Sequence, residues 1–316
     1  MKNSFFEVIR PGINSTFQDL GRKNFYHIGL PFSGAMDSRN FLISNRLVEN
    51  QNNDSVLEFA YQGPTLKVRN NNINFAITGD VNFKIKKSSS DIIDGKCYKT
   101  YVLNKDDELD IISTNKSVYG YLAVSGGFKV EKYLGSCSTT VRAGIGANNG
   151  SKISVNEKIY INEFKENLIS KKINFINSKI EFIRILKGTN FDYFSDISKL
   201  NFLKEEFTIT KLTDRMGMRL KGPELKNDKE ANIRSEGLIK GVIQVPADGD
   251  PIIMLSDHGT IGGYPKIGVV ISADYDKLVQ LPPNSKIKFK LIELKEAERL
   301  YKFYKMETEN LLNQIK

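Results

Sequence analysis

Residues Val242 to Tyr275 read VIQVPADGDPIIMLSDHGTIGGYPKIGVVISADY. The first part predicts strand, turn, strand. Apolar, β-branched runs flank Pro246 to Pro251, a turn dense in residues that preset φ or bond their own backbone. The last part, VVISADY, predicts a strand again. Between them lies SDHGTIGGYPKIG, Ser256 to Gly268, with four glycines, an Asp-His pair, a Thr and Tyr-Pro-Lys. Glycine permits close backbone approach to a ligand as well as positive φ, and the loop is expected to use both freedoms.

Outward from this loop, most of the chain reads the same way. NINFAITGDVNFKI, YGYLAVSGG, KIEFIRILKG, EFTITKL, GVIQVP and SKIKFKLIEL alternate β-branched and aromatic residues with polar ones. That is the pattern of half-buried antiparallel sheet. Helices are few. AMDSRNFLISNRLVEN sets Met36, Phe41, Leu42, Asn45 and Val48 near one face, with Asp37 where a carboxylate suits the free amides of a first turn. The tail KEAERLYKFYKMETENLLNQ spaces Ala297, Leu300, Tyr301, Tyr304, Leu311 and Ile315 as a packing helix.

An echo runs through the two halves. VIRPG, STFQDLGR, QGPTLKV and FAITGDV recur in order as IRILKG, KLTDRMGMR, GGYPKIG and VVISADY. A recurrence at half the chain length predicts two similar β-rich domains, residues 1–163 and 178–316, joined near residues 163–178. Pseudo-twofold pairing of this kind would place corresponding loops around a shared cleft.

Composition sets outer limits. The 316 residues are 40% hydrophobic and 10% aromatic, enough for two cores. The net charge of +9 is spread among acids, as in LNKDDELD, with no basic stripe of the kind a nucleic-acid groove needs. No apolar run reaches bilayer length, and MKNSFFEVIRPG lacks a secretory pattern, so a cytoplasmic protein is expected. Cys97 and Cys137 form no CxxC and read as buried thiols. His27 and His258, the two histidines, make no metal pattern. GIGANNGSK, Gly144 to Lys152, matches neither phosphate-loop pattern and reads as a turn.

The order of motifs along the chain resembles one family. IRPGINSTFQDLGRKNFYHIGLPFSGAMD, LEFAYQGPTLKV, AITGDV, YLAVSGGF, LGSCSTTVRAGIG, TDRMGMRLKGP, SEGLIKGVIQVPADGDPI and GGYPKIGVVISADY together resemble the KipA/PxpC family. It is also called the biotin-dependent carboxyltransferase or allophanate hydrolase subunit 2-like family. The resemblance implies a mainly β fold of two tandem cyclophilin-like β-barrel domains. It also implies partners, a KipI/PxpB-like protein and, in 5-oxoprolinase, a PxpA-like one. That enzyme opens the lactam of 5-oxoproline to glutamate using ATP (with Mg), and a single subunit is expected to be inactive alone. Two other activities run in the family: binding a KipI-like kinase inhibitor, and carboxyl transfer from biotin on a separate carrier. No biotin-attachment segment appears, so no covalently bound biotin is expected. Family members usually read Asp-x-Gln-Thr before GGYP, whereas this chain has Asp257, His258, Gly259, Thr260. Gly259 lacks the donor and acceptor of a Gln amide.

Each candidate residue carries a functional and a structural reading. Asp257, beside Thr260, could orient an amide or act as a base, or could cap turn amides. Lys266, set by the preceding Tyr264-Pro265, could neutralise a transferring anion, or could be a surface charge at a strand start. His258 could replace the missing Gln. His27 could line a cleft or sit satisfied in a core. Ser33 and Asp37 enter a helix in a turn suited to an anion, though a helix cap explains Asp37 nearly as well. Arg142 could grip a carboxylate or make a structural pair. Gln244 could face a ligand or tie two strands together.

Overall fold

The strand–turn–strand expected around Pro246 forms: Val242–Gln244 pairs antiparallel with Ile252–Met254, Ile243 opposite Ile253. This computed structural model describes residues 4–163, 170–175, 180–229 and 232–315. The expected join at residues 163–178 lies largely outside them. Among the described residues the fold is mainly β, with four α-helices: α1 (Ser38–Leu47), α2 (Asp196–Lys204), α3 (Ser272–Val279) and α4 (Leu294–Gln314).

Two compact units divide the chain. One comprises Met1–Arg22, Ser33–Ile176 and Thr308–Lys316, the other Lys23–Phe32 and Asn177–Glu307. These bounds depart from the sequence boundaries at two short segments, each drawn by its bonds. Tyr26 gives its hydroxyl to the Leu238 carbonyl. Thr308 receives Arg39 Nε at 3.0 Å, and the Leu312 carbonyl receives Arg46 Nε at 3.3 Å.

In the first unit a six-stranded and a five-stranded sheet share one core built from Phe6, Phe17, Phe59, Leu66, Phe75, Phe83 and Leu122. Between Ile73–Thr78 and Val81–Lys86 the chain turns at Gly79-Asp80 and passes from one sheet to the other. In its second strand Val81, Phe83 and Ile85 point inward while Asn82 stays exposed, the period-two pattern of a half-buried strand. Ile73–Thr78 and Tyr119–Val124 are buried throughout because α1 packs on them.

In the second unit eight strands form one sheet whose edges are Lys286–Ile287 and Phe289–Leu291. Lys288 alone separates these edges in sequence, so one interrupted strand nearly closes the sheet into a barrel. Phe202, Phe207 and Phe289 fill its centre, with ring centroids 4.6–6.0 Å apart.

Three expectations need correction. VVISADY is a strand only to Val270. Ser272 begins α3, and Asp274 in its first turn is buried against the Arg184 guanidinium. A carboxylate there suits a helix start and not a strand end. Tyr301, expected on the packed face of α4, is 43% exposed, whereas Ala297, Leu300 and Tyr304 do pack against Ile271 and Ile292. Of the two thiols, Cys137 is buried and Cys97 only partly so. No helix among the described residues is long and apolar enough to cross a membrane.

Candidate functional site

The loop after Ile252–Met254 is held by backbone bonds along its whole length. Leu255 N–H donates to Met216 O at 2.9 Å and Asp257 N–H to Arg215 O at 2.8 Å. Ile261–Gly262 pairs with Glu236–Gly237, flanked by Leu238 N–H to Thr260 O (2.9 Å) and Ile233 N–H to Gly263 O (2.8 Å). Lys266 then starts a strand, its N–H on Asn190 Oδ1 at 3.0 Å while its carbonyl accepts Asn190 N–H at 3.1 Å. None of Gly259, Gly262, Gly263 and Gly268 has positive φ, contrary to expectation. The ladder keeps Gly262 extended, and a side chain there would crowd its neighbours. A Cβ there would stand 2.7 Å from Gln244 Nε2 and 2.8 Å from Leu238 Cδ1.

That ladder turns polar side chains into three fixed devices. Asp257 receives Arg215 through Nε at 2.8 Å and Nη2 at 3.0 Å, a two-pronged ion pair largely out of water. A carboxylate gripped on both oxygens is a poor base and a good anchor, so the pair positions the loop. Lys266 is not a surface charge: its side chain is 4% exposed, and its ammonium meets Glu236 at 2.6 Å. Glu236 itself is 47% exposed, so the partner reaches solvent while the cation does not. His258 is buried with Nδ1 2.6 Å from the Gly259 carbonyl. Because a carbonyl oxygen only accepts, Nδ1 carries the hydrogen and Nε2 keeps its lone pair. Burial pushes this imidazole below the usual histidine range; Lys240 adds to the effect, while the Gly259 bond and Asp257 oppose it.

The other candidates of the second unit fall around these devices. Gln244 Nε2 donates to the Tyr264 carbonyl at 3.1 Å, which supports its strand-tying reading. Thr260 is buried, and Tyr264 keeps part of its ring in water. Tyr26 sets its ring 6.0 Å from that of His258, and burial raises its phenol to about 12. His27, next in sequence, is exposed in the short 3-10 turn Tyr26–Ile28.

Ser33, Asp37 and Arg142 belong to the first unit. Asp37 caps α1, taking Asn40 N–H at 2.9 Å and Asn40 Nδ2 at 2.6 Å, so the cap reading describes its bonds. Ser33 Oγ lies 2.7 Å from Thr140 Oγ1, which also receives Arg22 Nη1 at 3.0 Å. Arg142 is exposed in the turn Val141–Ala143.

Reading the sequence did not single out Arg215, Glu236, Lys240 or Tyr26. Arg215 stands in TDRMGMR and Glu236 in SEG, but their partners lie 42 and 30 residues away, beyond any local pattern. Lys240 seats its ammonium 4.2 Å from the Tyr275 ring centroid. The residue is exposed overall, yet crowding of that end pushes its pKa down. No group of three or more His, Cys, Asp or Glu among the described residues could hold a metal ion.

The family described as carboxyltransferase domain, subdomain A and B, matches residues 28–291. The chain is 31% identical to the C subunit of 5-oxoprolinase from Haemophilus influenzae over 90% of its own length and 91% of the relative's. It is also 31% identical to the corresponding 5-oxoprolinase C subunit of Escherichia coli, covering 92% of each. The crystal structure of Kluyveromyces lactis urea carboxylase superposes with a TM-score of 0.88 at 25% identity. That match covers 98% of this chain but only 29% of the larger one.

Proposed function

Because this chain belongs to the carboxyltransferase domain family, subdomains A and B, we propose that it is the C subunit of a 5-oxoprolinase. In this reading it works with KipI/PxpB-like and PxpA-like partners to open 5-oxoproline to glutamate, with ATP and Mg supplied at the level of the complex. The supporting observation is coverage. The chain matches the two C subunits over 91–92% of their length and 90–92% of its own.

The chemistry fits the second unit. An unstrained lactam carbonyl is a poor electrophile, and the charge that develops as it is attacked needs a cation in a site from which water is excluded. Lys266 is such a cation, and its carboxylate partner can move into solvent when an anionic ligand takes its place. Arg215 and Asp257 hold the loop so that Lys266 and His258 keep their positions. Co-expression with the two partners, followed by an ATP-dependent assay of glutamate from 5-oxoproline, tests the reading. Turnover by the three-protein set and none by the purified chain is the expected result. Robust turnover by the chain alone would count against it.

Carboxyl transfer from biotin on a separate carrier is a second reading, favoured by the likeness to urea carboxylase. It predicts transfer of labelled carboxylate from a carboxybiotinylated carrier, and no glutamate.

A further inference from the structure

We propose that His258 is the proton acceptor of this site: with Nδ1–H tied to the Gly259 carbonyl at 2.6 Å, Nε2 is held as the nitrogen that takes the proton of a nucleophile attacking an amide or lactam carbonyl. The proposal rests on the amide-opening reading above and adds the residue that moves the proton. Among the described residues Nε2 has no hydrogen-bond partner, and it is not one of the enclosed polar atoms left unpaired, so it is open to a bound molecule although the ring around it is largely buried. The surrounding groups keep the imidazole neutral and fixed. Lys240 lies close enough to disfavour a second positive charge, and burial acts in the same direction. Asp257 favours the charged form, but Arg215 holds both of its oxygens. From the Tyr26–Ile28 turn, the Tyr26 ring stands at 6.0 Å with its hydroxyl committed to the Leu238 carbonyl.

The step balances simply. As the water O–H bond breaks, its proton passes to Nε2 and its oxygen bonds the carbonyl carbon. When the C–N bond then breaks, the imidazolium returns that proton to the departing nitrogen. A neutral base fixed in one tautomer suits both halves.

Two measurements decide the matter. The chain has two histidines, so 15N-histidine labelling of the His27→Gln variant leaves His258 as the only signal. The expected spectrum is a Nδ1–H tautomer that titrates below the ordinary histidine range. A Nε2–H tautomer, or an imidazolium at neutral pH, overturns the proposal whatever the complex does. In the reconstituted complex, His258→Asn keeps an N–H donor near the position of Nδ1 but has nothing at Nε2. It should lower turnover of 5-oxoproline about 100-fold or more and abolish the acid limb of the pH profile, in line with the usual 10²–10⁴-fold contribution of a positioned base. Its melting temperature should stay near that of the parent. An Asn variant with parental turnover and pH profile assigns His258 to packing alone. If the parent complex leaves 5-oxoproline intact, the assigned function fails, and the tautomer still judges the histidine.

Discussion

Asp19 in QDLGR and Asp214 in TDRMG make the same local bond, each carboxylate accepting the backbone N–H two residues on. Gly21 lies at 2.7 Å in the first case and Met216 at 2.8 Å in the second. What surrounds the two turns differs. Asp19 is fully buried and also takes Ser136 Oγ (2.7 Å), Ser138 Oγ (2.6 Å) and Cys137 N–H (2.9 Å). Burial pushes its carboxyl up, and the four hydrogen bonds together outweigh that and leave it below the usual range. Beside Asp214, Arg215 instead reaches across to Asp257, and the loop it anchors carries a buried cation whose partner stands half in water. A charge that is itself buried, with all its bonds inside its own turn and residues 136–138, can only hold the fold together. A buried charge with a solvent-reaching partner can exchange that partner for a ligand. Similar turns thus support structure in one unit and a candidate site in the other.

The most severe test of this contrast is Asp19→Ala. It strands four donors, three of them belonging to Ser136, Cys137 and Ser138, and should cost on the order of 3–5 kcal/mol. Urea unfolding would read this as a lower midpoint at unchanged slope. A loss under about 1 kcal/mol would mean that the knot around Asp19 is dispensable, and the contrast would fail.

Lys266→Met should show the opposite signature. The side chain is 4% exposed, so a methionine keeps its volume, and Glu236, at 47% exposure, returns to water without being stranded. Stability should fall by about 1 kcal/mol or less. Turnover in the reconstituted complex should fall roughly 10²–10³-fold, the effect of removing one stabilising group from a developing anion. Parental kinetics would reduce the Lys266–Glu236 pair to structural punctuation.

How much of this was legible in the residues follows from the range of each signal. Strands such as Val81–Lys86, and the cap of α1 by Asp37, rest on patterns of two to four residues and are readable directly. The echo of QDLGR in TDRMG is readable too, because turn chemistry is local. Closure of the barrel through Lys288 and the pairing of Arg215 with Asp257 are tertiary, and no spacing announces them. The glycines of Gly259 to Gly268 misled in a specific way. Composition suggests positive φ, but none of the four has it; the ladder through Glu236–Gly237 holds Gly262 extended, where a Cβ would crowd the Gln244 amide. For Lys266 only the surface-charge alternative fails, since a lysine at a strand start is usually solvated and burial is not written in its neighbours.

Acid titration offers a smaller and more selective effect. Above the ordinary histidine pKa of 6.5, His258 is neutral whether folded or not and contributes no pH dependence. Below that value the unfolded chain binds the proton first, because burial holds the folded imidazole down. Stability therefore falls with decreasing pH, and the loss levels off once the pH drops beneath the folded pKa. The slope cannot exceed about 1.4 kcal/mol per pH unit for one proton. Subtracting the His258→Asn curve from the parent isolates this contribution from Asp19 and the other carboxylates. A difference curve that is flat between pH 7 and pH 4 would show that His258 protonates as freely folded as unfolded.

Gly259→Gln should disturb the molecule least, and the size of its effect bears on what the loop binds. A Cβ at Gly259 meets only the Ile261 carbonyl, at 3.4 Å, which is ordinary contact, and the backbone there has no positive φ to forbid a side chain. The Gly259 carbonyl that fixes His258 belongs to the backbone and survives the change. The melting temperature should therefore stay within the span of a surface substitution, about 0.5 kcal/mol. The new amide supplies the donor and acceptor that the family resemblance leads one to expect between Asp257 and Thr260. If the loop receives a lactam, calorimetric titration of the assembled complex should give 5-oxoproline affinity equal to the parent's or tighter. Affinity lower by tenfold or more, about 1.4 kcal/mol, with the fold intact would mean that the space beside His258 is already used by a ligand of a different shape.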